Sequence, residues 1–72
     1  MALADVVARN LRAVRVRQRL SQEALANKAR ISVSYVSMLE RGQRSPPLDT
    51  LEVLASALKV APVALLQPLR KS

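Results

Sequence analysis

Apolar positions recur every three or four residues along most of the chain, the spacing of amphipathic helices rather than of strands. Leu3, Val7, Leu11 and Val14 form the first stripe, and Arg9, Arg12, Arg15, Arg17 and Arg19 occupy the other faces. This predicts a helix over residues 3–19 that ends near Arg19-Leu20. Ser21 offers a hydroxyl to cap a second helix, roughly Gln22 to Ala29, and Glu23 suits its first turn. Ala24 stands where Glu or Gln would complete a capping box. Leu25 and Ala29 are the buried stripe of this short element.

Arg30-Ile31-Ser32 interrupts the pattern. Ser32 can cap a third helix, Val33 to about Arg41, with Val36 and Leu39 facing inward and Gly42 as a left-handed stop. Gln43-Arg44-Ser45-Pro46-Pro47 reads as a loop, since neither proline suits a helix interior. Leu48, Leu51, Leu54, Ala55 and Leu58 mark a fourth helix. Pro62 can open a fifth, with Val63, Leu65, Leu66 and Leu69 as its apolar residues. Arg70-Lys71-Ser72 is expected to fray.

The composition agrees with an all-α bundle of about five helices in a single domain, residues 1–72. Leu, Ala and Val dominate, Tyr35 is the only aromatic residue, and Gly42 is the only glycine. There is no cysteine, so neither a disulfide nor a thiolate metal site can reinforce so small a core. Dense aliphatic packing or dimerisation is the expected remedy.

The same inventory argues against catalysis. Histidine and cysteine are both missing, and the two Asp and three Glu are scattered over separate elements. A lone glycine builds no phosphate-cradling loop, and Ser32, Ser34 and Ser37 have no general base nearby. No enzyme activity, metal, cofactor or small-molecule ligand is expected.

The net charge of +7 is uneven. Residues 1–44 hold nine Lys/Arg against three acids, a surplus of +6, whereas residues 45–72 hold three against two. Such asymmetry fits either a polyanionic partner or a solvated basic face. No stretch is long and apolar enough to span a bilayer, and the N-terminus lacks a signal peptide's basic-then-apolar pattern. The expected location is the cytoplasm.

Residues 21–41 place two short helices around a tight turn, the helix-turn-helix arrangement. Ala26 is small enough for close helix approach, and Ile31 wedges the turn. The second helix should then project and expose Val33, Ser34, Tyr35, Ser37 and Met38, and one helix fits the width of a DNA major groove.

In these residues the chain resembles the Cro/repressor, or Xre-like, family of phage repressors and small bacterial regulators. The resemblance lies in Arg15, Leu20-Ser21-Gln22, Leu25-Ala26, Ile31-Ser32, Val36-Ser37, Leu39-Glu40-Arg41-Gly42, Pro46, Leu48, Leu51, Ala55, Leu58 and Val60. It covers about residues 8–66, and Tyr35-Val36-Ser37 before Glu40-Arg41-Gly42 is also similar to restriction–modification controller proteins. The resemblance implies a lambda-repressor-like fold and a transcription regulator, such as a repressor, that binds double-stranded DNA.

It also implies roles. Gln22 would meet a phosphate at the start of the second helix. Ser32, Val33, Ser34, Tyr35, Ser37 and Met38 would face DNA, with Ser34 bonding a base edge or phosphate and Val33 and Met38 packing on thymine methyls. Arg41, Gln43 and Arg44 would grip the phosphate strand, while Arg15 and Glu40 would form a largely buried structural pair. Four of these residues have an alternative role: Met38 as core filler, Tyr35 as a lid on the core, and Arg41 and Arg44 as solvated side chains beside the glycine turn. Arg9, Arg12, Arg17 and Arg19 read mainly as a solvated face.

Three departures from the family pattern follow. Arg30 stands where the turn often has glycine, and Pro47 replaces the usual cap of the fourth helix. The recognition helix also lacks the Arg, Asn and Gln residues that bond bases in pairs, which raises the share of DNA shape in recognition. One such domain makes few contacts, so a homodimer on a pseudo-palindromic operator is expected, with Val60, Val63, Leu65, Leu66 and Leu69 as candidates for the subunit contact, the alternative being that all five pack within the monomer. Two other classes fit parts of the pattern: an antitoxin or protein-interaction module of the same fold, and a membrane-surface peptide using the basic first helix.

Overall fold

The computed structural model describes residues 2–68, which form four α-helices and one 3₁₀ turn: α1 (Leu3–Arg17), α2 (Gln22–Ala29), α3 (Val33–Glu40), α4 (Leu48–Leu58) and the turn Pro62–Leu65. α2 packs on α3 and α4, α1 packs on α3 and the 3₁₀ turn, and the turn also packs on α4. The shared core includes Val7, Leu11, Leu25, Val36, Leu39, Leu54, Leu58 and Leu65.

α1 buries a wider face than its stripe suggests. Val6, Val7, Ala8, Asn10 and Leu11 are all buried. Leu3, expected on the buried stripe, is instead 60% exposed at the start of the helix, on the rim of a cavity it shares with Val7, Leu48 and Leu66. The helix also stops at Arg17, earlier than the expected Arg19-Leu20. Arg19 turns left-handed at φ 60°, and the Leu20 amide donates back to the Arg15 carbonyl at 3.1 Å. That closure satisfies carbonyls that the helix would otherwise leave open.

The same closure ends every α-helix. Ile31 donates to the Ala26 carbonyl at 3.0 Å, Gln43 to Met38 at 3.0 Å, and Val60 to Ala55 at 3.0 Å. The left-handed residues are Arg30, Gly42 and Lys59, with Arg19 as the first of the series. A side chain at such a position costs on the order of 1 kcal/mol. A cation near a helix C-terminus recovers about 0.3–1 kcal/mol of that through the helix dipole. Gly42, at φ 73°, is the one glycine of the series, and a Cβ there would lie 3.0 Å from Oδ1 of the exposed Asp5 side chain, which would have to shift.

The expected fifth helix is a single 3₁₀ turn of four residues. Pro62 starts it, and Pro68 disfavours helical backbone at the residue before it, so no room remains for a second turn. The turn is held by Asn10, which is 1% exposed. Its Nδ2 lies 3.0 Å from the Leu65 carbonyl and 2.6 Å from the Gln67 carbonyl. Pro47 does not disturb α4, because its carbonyl accepts from the Leu51 amide at 2.9 Å and the helix starts regularly at Leu48.

Candidate nucleic-acid interface

Both helices of the 21–41 unit begin on serine caps. Ser21 Oγ accepts from the Ala24 amide at 2.9 Å, and Ser32 Oγ accepts from the Tyr35 amide at 3.0 Å. Each cap satisfies one of the amides that a helix start leaves without a partner. Arg30 supplies the left-handed step between the helices, at φ 59°. Ala26 is buried, and Ile31 packs on the core, so the interhelical angle is fixed from both sides.

α3 buries only Val36 and Leu39. Ser32, Val33 and Ser34 stand exposed at its start, and Arg41, Gln43 and Arg44 stand exposed beyond its end. Ser37 and Met38 are half-buried between these groups. Tyr35, expected to point outward, is half-buried, with its body against the core. The Arg44 guanidinium lies over its ring, 6.0 Å from the centroid. A cation over an aromatic face is attracted by the ring quadrupole, so Tyr35 serves both as a lid on the core and as a platform for Arg44.

Below this surface, Arg15 grips Glu40 with two bonds, Nε to Oε2 at 2.6 Å and Nη2 to Oε1 at 3.0 Å. A third donor of the same guanidinium reaches the Leu20 carbonyl at 2.7 Å. The Glu40 side chain is only 3% exposed. The bond to Glu40 raises the Arg15 pKa above its ordinary value, so the guanidinium stays charged at all working pH values. The pair neutralises one of the acids in the basic half of the chain.

Gln22 is half-buried, and its Nε2 donates to Glu40 Oε1 at 3.0 Å. This bond ties the start of α2 to the end of α3, and sequence reasoning missed it. Asn10 was missed as well, although Val7, Asn10, Leu11 and Val14 share one helical face and a polar residue among them was visible. Gln18 Nε2, bonded to the Leu58 carbonyl at 2.6 Å, left no such signal in the spacing.

The proposed subunit-contact residues separate. Leu65 is fully buried in the monomer core, which corrects its assignment to a subunit contact: the 3₁₀ turn drives it between α1 and α4. Val60 and Leu66 are half-buried against that core, and Val63 is 54% exposed. Leu69 lies outside the described residues. Among the described residues, no three potential metal-ligating side chains come together, and no helix is long and apolar enough to cross a membrane.

The helix-turn-helix family model matches residues 11–65. The immunity repressor of Bacillus phage phi105 is 41% identical over 54 residues, which are 75% of this chain and 38% of that protein. The chain thus spans well under half the length of that relative. The crystal structure of the hypothetical transcription factor NHTF from Neisseria superposes with a TM-score of 0.90 at 40% identity, covering 93% of this chain and 77% of that one. The restriction–modification controller C.Esp1396I, solved as a tetramer with its natural 35 base-pair operator, superposes with a TM-score of 0.83 at 28% identity, covering 90% and 86%.

Proposed function

Because the chain belongs to the helix-turn-helix family, we propose that it is a sequence-specific transcription regulator that binds double-stranded DNA as a homodimer. α3 lies in the major groove, with Val33 and Ser34 at base edges, while Arg41, Gln43 and Arg44 hold the phosphate strand. The observation that carries this reading is the division of α3: two residues anchor it, and polar or small side chains stand free at both its ends. An element built only for stability would bury more of its length.

The protein acts in the cytoplasm, and it binds rather than catalyses. Val33 and Ser34 discriminate bases weakly, so DNA shape and deformability carry part of the specificity. A dimer places two α3 helices roughly 34 Å apart, one turn of duplex. With Leu65 withdrawn into the core, Val60, Val63 and Leu66 remain for the subunit contact. The operator-bound controller supports an oligomer on DNA.

The test is duplex binding as a function of salt. A dimer neutralising roughly 6–10 phosphates loses about 10³–10⁵ in affinity between 50 and 200 mM salt. Ser34→Glu and Arg44→Glu should each abolish specific binding while leaving the fold intact, since both side chains are exposed. A flat salt response contradicts the assignment.

A further inference from the structure

Glu40 is an acid beneath a surface that should meet a polyanion, yet its carboxylate gathers three donor contacts. Two come from Arg15, which neutralises it. The third comes from Gln22 and contributes nothing to neutralisation, because a carboxamide carries no net charge. Its consequence is orientation. A carboxylate only accepts, so the amide must turn its NH₂ toward Glu40 and its oxygen away, since the flipped rotamer would set two acceptors against each other.

We propose that Glu40 is a positioning residue for DNA binding: it holds the Gln22 carboxamide so that one N–H faces the carboxylate and the second is offered to a phosphate at the start of α2. The inference rests on the DNA-binding reading above. A free glutamine has several rotamers and two amide faces, one of which presents its oxygen to the phosphate and repels it. Bonded to a side chain that is itself 3% exposed and held twice by Arg15, the amide has a fixed origin. α1, α2 and α3 thereby set one donor between them: Arg15 fixes Glu40, and Glu40 fixes Gln22.

Glu40→Gln separates positioning from simple charge. Removing a negative charge near DNA should tighten binding if Coulomb repulsion is all that matters. Positioning demands the opposite. A duplex recovered by selection from a random pool with the wild-type chain serves as the probe. The affinity of Glu40→Gln should fall about tenfold, the size of one hydrogen bond to a charged group. Gln22→Ala should fall by a similar factor, and the double variant no further, with all three keeping the wild-type salt slope because no counterion-releasing cation is lost. A loss that adds in the double variant, or tighter binding by Glu40→Gln, overturns the proposal.

A wild-type measurement holds if Glu40→Gln does not fold. The two Gln22 side-chain amide protons should be distinct in the free protein. On adding duplex, only the one not bonded to Glu40 should shift. A shift of the other, or of neither, overturns the proposal. Failure of the wild-type chain to bind any duplex would instead sink the underlying DNA-binding reading.

Discussion

The ends of α1, α2 and α4 and the end of α3 close with the same backbone bonds but send the chain in different directions. After the left-handed residue, the first three continue with Leu20, Ile31 and Val60, and all three pack back onto the core. After Gly42 the chain continues with Gln43 and Arg44, both exposed. Apolar contact normally accompanies this kind of helix end. At α3 it is replaced by an ion pair within the helix itself, since Glu40, the last helical residue and two before Gly42, is held by Arg15. Three ends close the core, and the fourth releases polar chain while staying tethered.

The comparison is broken most severely at the tether. Glu40→Ala leaves Arg15 without its partner in a site where the arginine side chain is 12% exposed. The expected cost is roughly 3–5 kcal/mol in urea denaturation, the range for breaking a buried pair from one side. An unchanged midpoint would mean that α3 is held by packing alone.

Ile31→Ala removes the apolar return at the end of α2. Ile31 is half-buried, so the loss should be about 1–2 kcal/mol, below the range for a fully buried site. Gly42→Ala puts a Cβ into a left-handed position and against Asp5. It should cost about 1 kcal/mol or more, read as a lower melting temperature.

Lys59→Gly relieves the same backbone conformation where no neighbour forbids a side chain, so the net change should be a gain of less than about 1 kcal/mol after the helix-dipole contribution is lost. Gln43→Ala should move stability by no more than about 0.5 kcal/mol and still weaken duplex binding. Equal stability losses for Ile31→Ala and Gln43→Ala would erase the distinction between the two kinds of helix end.

Much of this was legible in the sequence because helical spacing and caps are local. Leu25, Val36 and Leu39 announce their burial by period, and Ser21 and Ser32 announce helix starts by chemistry. The left-handed turn at Arg30 was foreseeable from the family pattern, but Arg19 and Lys59 were not, since neither is a residue type that marks such a turn. The 3₁₀ turn was over-read because Val63, Leu65 and Leu66 are apolar, and apolar residues at that spacing do not reveal whether they face a partner or a core. Only the three-dimensional packing of Leu65 decides that. Long-range polar bonds, such as Asn10 to Gln67 and Gln22 to Glu40, join residues whose separation carries no periodic signal.

The most direct test is to follow backbone amide shifts while the protein is titrated with a selected duplex. Val33, Ser34 and Tyr35 should move most, joined by Gln22, Gln43 and Arg44, while Asn10 and Val14 stay still. Shifts confined to the opposite end of the molecule, with Ser34 and Arg44 unmoved, would contradict the placement of α3 on DNA.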